Sequence, residues 1–413
     1  MLILPSALSH CLRAQSPVLA AIHFANPGKN DTTYLRRFVQ SEIGEPLDEA
    51  VIQQDLWTLR RLPGVGQVAA RRDTVATTAV VLTFELQAQK TRLPILGIGG
   101  IENNFWWQLG GIDYNLAGRG QTLLGFYLNN DRRSSGQLYY ANERVRGGRW
   151  GYAVDLRTYA SLEPLYFPEQ VDYDYRNSGA GLTGFFHPDF RHRVLFGANF
   201  FVEEYNKLDA RPDSPGPATQ TEHKLLVQAG LTQNKLHYDG FYRSGHTHTL
   251  LVQQVSTLGV RGDFWSAALT GIRFWRTGGR HNWGLRYRAA LATNRNSPFA
   301  PFVLDSQFNL RGVGNRVDRG TAQFVLNAEY RYTLYEHHHW AVQAVAFVDA
   351  GTWRNPGAPF EQVFEREQGR AFAGPGLRLI NKRVFQFILR VDYGLAVDGS
   401  GQRGPVLGVG QYF

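Results

Sequence analysis

Arg311 sits among small residues in Leu310-Arg311-Gly312-Val313-Gly314, and two acids, Glu329 and Asp349, follow it in alternating segments. A guanidinium presents a planar fork of five donors that can grip a carboxylate through two parallel hydrogen bonds. Period-two alternation places Asn327, Glu329 and Arg331 on one strand face and Phe347 and Asp349 on one face of the next. The chemistry on offer is a charged clasp, not catalysis. Other candidates are weaker. His337-His338-His339 reads as a hydrated turn between strands, and His246 and His248 share a strand face without a third zinc ligand. Gly97-Ile98-Gly99-Gly100 lacks the third glycine and the following helix of a phosphate-binding loop. No Gly-x-Ser-x-Gly elbow occurs, and no carboxylate pair is spaced for acid–base work. The expectation is a protein with no catalytic residue, metal or cofactor.

Composition narrows what must position these residues. One cysteine, Cys11, among 413 residues excludes an intramolecular disulfide framework and multi-cysteine metal sites. Aromatics reach 13% and glycines number 44, while charged residues make up 19% and the mean hydropathy is −0.31. A polar average combined with so many aromatics fits numerous strands with one apolar face each. The net charge of +9 raises nucleic-acid binding, but no Lys/Arg block exceeds two residues, as at Arg132-Arg133, so a continuous phosphate footprint is missing.

Along the chain, residues 1–16 read as a degenerate signal segment, apolar at 2–8 but without a basic start. A late start codon and a longer parent chain are the alternatives. Residues 17–90 read as a β-α-α-β-β module. It has a strand over 18–24, a helix burying Leu35, Phe38 and Val39, and a helix over 48–62 with a Val51, Ile52, Leu56 and Leu59 stripe. Strands Val65–Arg71 and Ala79–Leu86 complete it. From residue 93 to 413 the helical period disappears. Segments 152–159, 284–291 and 385–393 alternate apolar with charged residues, as a transmembrane barrel of about 16 strands would, lipid outside and a wet lumen inside. Asn129-Asn130-Asp131 and Ala117-Gly118-Arg119-Gly120 read as short turns, and Leu208–Thr221 and Arg354–Gln368 as long polar connections.

The order of these features resembles the BamA/TamA superfamily of outer-membrane assembly and translocation barrels, the bacterial surface antigen family. Leu310-Arg311-Gly312 resembles that family's lumenal Val-Arg-Gly-aromatic motif, and Phe347, Asp349 and Gly351 resemble its Phe-x-Asp-x-Gly strand. Residues 17–90 resemble a single POTRA domain, Asn115–Gly120 the first hairpin, and Gly408, Tyr412 and Phe413 in a terminal strand Val406–Phe413 the C-terminal barrel signal. Val313 stands where the family prefers an aromatic, and Gln411 where it prefers an apolar residue. The resemblance implies a lumenal loop held by an Arg311–Asp349 pair, with Glu329 sharing the charge.

It also implies a bacterial outer-membrane location with the N-terminal domain in the periplasm. Implied partners are outer-membrane lipid, unfolded outer-membrane or secreted polypeptide clients, and the barrel-assembly machinery that inserts the chain itself. Two other functions stay open at this stage. One is the membrane anchor or export half of a patatin-like autotransported lipase, and the other is a passive pore.

Overall fold

The computed structural model describes residues 17–76, 78–101, 104–130, 133–167, 169–208, 213–258, 262–294, 300–304, 309–313 and 318–413. The 1–16 segment with Cys11, Arg132, and Gly314 of the arginine segment lie outside these described residues.

The N-terminal module forms around a three-stranded sheet. Its central strand, Ala79–Ala88, pairs in parallel with Val18–Ala25 and antiparallel with Val65–Ala76. Two helices cover the sheet. Asp31 caps the first, Thr32–Arg36, by accepting from the Thr33 and Tyr34 amides, and Asp48 caps Glu49–Leu59 by accepting from the Ala50 amide. Leu35, Ile52, Leu56 and Leu59 bury into a core with Leu82 and Phe84. The first helix ends earlier than its apolar spacing predicts. Phe38 and Val39 still bury, but the chain beyond Arg36 has turned to present the Gln40 and Ser41 amides to the Asp55 carboxylate. The second helix also ends short, at Leu59 instead of 62. Strand Val65–Ala76 runs five residues past Arg71, because its partner strand continues alongside it.

Sixteen antiparallel strands, from Arg92–Ile101 to Arg403–Val409, make a single barrel sheet. Alternation sets its two faces. Tyr152, Val154 and Leu156 are exposed on the outside, while Asp155 and Arg157 turn inward. Outward aromatics gather at two levels. Trp150, Trp275, Trp283 and Trp340 ring the end nearest the module, and Trp107, Tyr127 and Trp265 ring the far end, as membrane interfaces favour. The 385–393 segment departs from expectation, since its strand is Ile388–Ala396. Phe385 and Phe387 belong to a turn in which the Phe385 amide donates to Lys90, where the chain leaves the module. Asn129 and Asn130 are strand residues, not turn residues. The first and last strands lie side by side, yet among the described residues no hydrogen-bonded ladder joins them.

The module sits on the barrel end that carries the short turns. The Asp31 amide donates to Gly118, and Arg119 Nε lies 3.0 Å from an Asp31 carboxylate oxygen, holding that carboxyl below its usual range. Trp57 Nε1 donates to the Leu236 carbonyl at 3.1 Å, under the guanidinium of Arg61. This is why Trp57 is buried although it lies off the helix's core stripe. A Cβ at Gly118 would lie 2.1 Å from the Lys29 carbonyl oxygen at a positive φ of 74°. Gly118→Ala is therefore expected to lift the module from the first hairpin with the barrel intact, read as faster hydrogen exchange at residues 29–35.

His187 adds a pH dependence to the same interface. Burial beside Arg144 and Arg193 pushes its imidazole down to about 3. Below about pH 6.5 the unfolded histidine binds a proton that the native one refuses, so stability here falls as pH drops from about 6.5 toward 3. Hydrogen exchange around residues 187–191 should quicken between pH 7 and pH 5. A His187→Asn protein should show a flatter response, and an unchanged slope removes His187 as the cause.

Candidate functional site

The long connection between strands His281–Ala292 and Ala322–His337 folds back into the lumen. Two three-residue strands within it, Phe302–Leu304 and Asp318–Gly320, pair with each other. Phe302 packs against Phe201, Val255 and Phe264 on the barrel's inner wall, and Arg319 forms an ion pair with Glu163 on the wall strand Trp150–Phe167. These contacts deliver Leu310–Val313 to the opposite wall.

Arg311 is fully buried there. Its Nε and Nη2 each donate to Asp349 at 2.8 Å, and its own amide donates to the same carboxylate at 2.9 Å. Nη1 donates to Glu329 and lies 3.8 Å from Asp392. Glu329 in turn accepts from Arg331 and from Arg378, and Arg378 Nη1 donates to Asp392 at 2.7 Å. Three guanidiniums thus face three carboxylates, each side chain at most 1% exposed. The pairing matters, because an unpaired charge at this depth would cost several kcal/mol; Arg390, against the Tyr412 ring, and Arg286, donating to Asn327, add two further cations at the network's edge. Asn327 closes the ring by donating to both Asp349 and the Asn309 carbonyl. Strand register explains the convergence, with Asn327 opposite Asp349 and Glu329 opposite Phe347.

Aromatic faces complete the enclosure. The Arg311 guanidinium carbon lies 3.8 Å from the Phe347 ring centre and 4.3 Å from that of Tyr412, so the cation is held between two π faces. Gly312, at φ 101°, packs directly on Gly394, and Gly351 leaves room for Leu304 and Leu310. Val313 is buried with Leu310, Val325, Trp353 and Phe372, whose rings supply aromatic bulk beside it.

The structure brings Leu310, Arg311, Gly312, Val313, Glu329, Phe347, Asp349 and Gly351 together. Tyr412 joins them, although the sequence reading had placed it only in a terminal strand. That strand ends at Val409; Gly410, at φ 93°, turns the chain inward, so Tyr412 and Phe413 enter the lumen. Gly408 serves a packing purpose, since a Cβ there would meet Arg390 at 2.6 Å. Arg378 and Asp392 were missed as site residues. Their alternation in Leu377-Arg378-Leu379 and Val391-Asp392-Tyr393 was the available signal, but nothing in one sequence says which lumenal charges meet. His246 and His248 lie on a barrel strand with rings 5.1 Å apart, and His338 and His339 form a turn remote from the arginine.

Comparison with known proteins bears on this geometry. The Omp85 superfamily domain matches residues 115–413. Among solved structures, BamA from Haemophilus ducreyi lacking POTRA domains 1-3 is similar at TM-score 0.55 and 16% identity, over 95% of this chain and 83% of that one. CdiB from Acinetobacter baumannii is similar at TM-score 0.61 and 15% identity, over 95% and 73%. CdiB from Escherichia coli is similar at 0.59 and 13%, over 96% and 74%. No curated protein matches.

Proposed function

The chain belongs to the Omp85 superfamily, and from that premise we propose that it inserts outer-membrane proteins, or passes secreted polypeptide outward, through the seam between Arg92–Ile101 and Arg403–Val409. The unladdered seam carries this reading. Every other strand junction in the sheet exchanges backbone hydrogen bonds, so the seam is where an extended client strand meets backbone groups not committed to a barrel partner. The 17–90 module acts in this reading as a single POTRA-like periplasmic domain that receives clients beside the barrel mouth. A cleft of 210 Å³ opens between its strand Val65–Ala76 and the barrel turns, lined by Arg60, Arg61, Gln67, Arg243 and Phe385. The described parts of the lumenal loop cross the bore from Glu163 to Asp349, which argues against a passive pore.

Depleting the protein from its native cell tests the proposal. Loss of integral outer-membrane proteins points to insertion, and selective loss of secreted polypeptide points to export. Unchanged levels of both sink the reading.

A further inference from the structure

The outer wall of the barrel is apolar at Leu231, Leu250, Leu269 and Leu291, and on three of these strands it turns polar toward the module. Alternation puts Lys235, His246 and Arg273 on that outer face, and register sets them in one row, Lys235 opposite His246 and His246 opposite Arg273. His248 and Gly271 stand in the next row, with Tyr287 opposite Gly271. A Cβ at Gly271 would lie 2.3 Å from the Tyr287 ring, so the glycine lets that ring cross the strand. The phenol oxygen then lies 3.1 Å from His248 Nδ1. Where the phenol donates this bond, the neutral imidazole keeps its own proton on Nε2, available to an acceptor outside the wall.

We propose that this patch binds the phosphate of an anionic phospholipid in the leaflet on the module side. Ionisable side chains on a lipid-facing wall are destabilising with depth, so a row of them calls for a partner. Among the described residues neither Lys235 nor Arg273 forms an ion pair, whereas Arg119 and Arg276 at the module-side turns each meet an aspartate. The acids at the adjoining turns, Asp189 and Asp239, are engaged by His192 and Arg276. Height agrees with a headgroup. The Arg273 guanidinium carbon lies 5.1 Å from the centre of the Trp275 ring, which draws the charge toward the aromatic level of the membrane interface. Strands about 4.8 Å apart leave Lys235 and Arg273 about 10 Å from each other, so one phosphate over His246 is within reach of both stems. The patch offers no carboxylate to receive an ammonium, which favours an anionic headgroup over a zwitterionic one. Tyr242–Thr257 is the eighth of sixteen strands from the Arg403–Val409 edge. The site therefore lies across the barrel from the seam, does not depend on the seam reading, and pins the wall farthest from it.

The test uses the full chain, purified in micelles and stripped of lipid. Native mass spectrometry counts bound phosphatidylglycerol or phosphatidylcholine during titration. The unaltered protein should hold one phosphatidylglycerol about tenfold more tightly than phosphatidylcholine. Lys235→Gln with Arg273→Gln should erase that preference, and Lys382→Gln, which removes one charge at another module-side turn, should keep it. Lys235→Arg with Arg273→Lys keeps both charges and should keep the preference. Heat-modifiable gel mobility shows which variants are folded. Should the double glutamine variant fail to fold, Tyr287→Phe decides, since it keeps the ring over Gly271 and removes only the bond to His248; it should weaken phosphatidylglycerol binding severalfold. Equal binding of the two lipids by the unaltered protein overturns the site, and so does full preference in a folded double glutamine variant or in Tyr287→Phe. Displacement of the lipid by an equal concentration of inorganic phosphate overturns it as well, because the patch would then be a general anion site.

Discussion

An Arg311→Ala protein is expected to lose client insertion or export and to lose about 3–5 kcal/mol of stability, the range for removing one partner from a buried ion network. The deletion strips Asp349 of two of its donors and Glu329 of one, in a place where neither carboxylate reaches water. It also empties the gap between the Phe347 and Tyr412 rings. Arg331 and Arg378 still face Glu329, and Arg378 still faces Asp392, so Asp349 is the group left most exposed to the loss. A graded series makes this specific. Arg311→Lys keeps the charge but not the fork, so it should recover part of the stability and little activity. Adding Asp349→Asn to Arg311→Ala should restore stability without restoring function, since it removes the stranded charge and not the missing anchor. Heat-modifiable gel mobility and urea unfolding in micelles read the stability, and outer-membrane protein levels read the function. A wild-type thermal profile for Arg311→Ala removes the clasp as a structural element.

How far the sequence led depends on whether the physics is local. Strand alternation is local, so the inner and outer faces of 152–159 and 284–291 were readable. The Arg311 and Asp349 positions became legible only through the order of motifs that the family resemblance supplied. Arg378 and Asp392 were not legible, because the fold-back of the loop onto successive strands, not spacing along the chain, brings Gly369–Asn381 and Ile388–Ala396 under Arg311. The tail was misread for the opposite reason. An aromatic end after an alternating segment looks like more strand, and a cation–π contact with a residue about a hundred positions away leaves no periodic trace. Trp57 was silent likewise, because its partner lies on the barrel.

The second large effect is expected at the contact between Gly312 and Gly394, and it separates loop position from loop charge. A Cβ on Gly394 would stand 2.2 Å from the Arg311 carbonyl oxygen, and one on Gly312 would stand 2.7 Å from the Gly394 Cα. Both obstacles are backbone, held by strand Ile388–Ala396 on one side and by the arginine clasp on the other, so neither can swing aside. Gly394→Ala should cost about 1–3 kcal/mol by overpacking alone. Gly312→Ala adds a residue with a side chain at φ 101°, which raises the cost by about 1–2 kcal/mol. The bidentate grip on Asp349 tolerates little displacement of the loop, so both variants should unseat Arg311 with every charge still present, and activity should fall with them. Gly351→Ala supplies the contrast. Its Cβ would meet the side-chain tips of Leu304 and Leu310 at 2.9 and 3.1 Å, which can rotate away, so a milder loss is expected. Protease cutting within 293–321, scored beside client levels, reads loop seating directly. If Gly394→Ala keeps a protected loop while Gly312→Ala does not, backbone conformation governs the site. If both open the loop and Gly351→Ala does not, it is the backbone contact that holds Arg311 where its charge can be used.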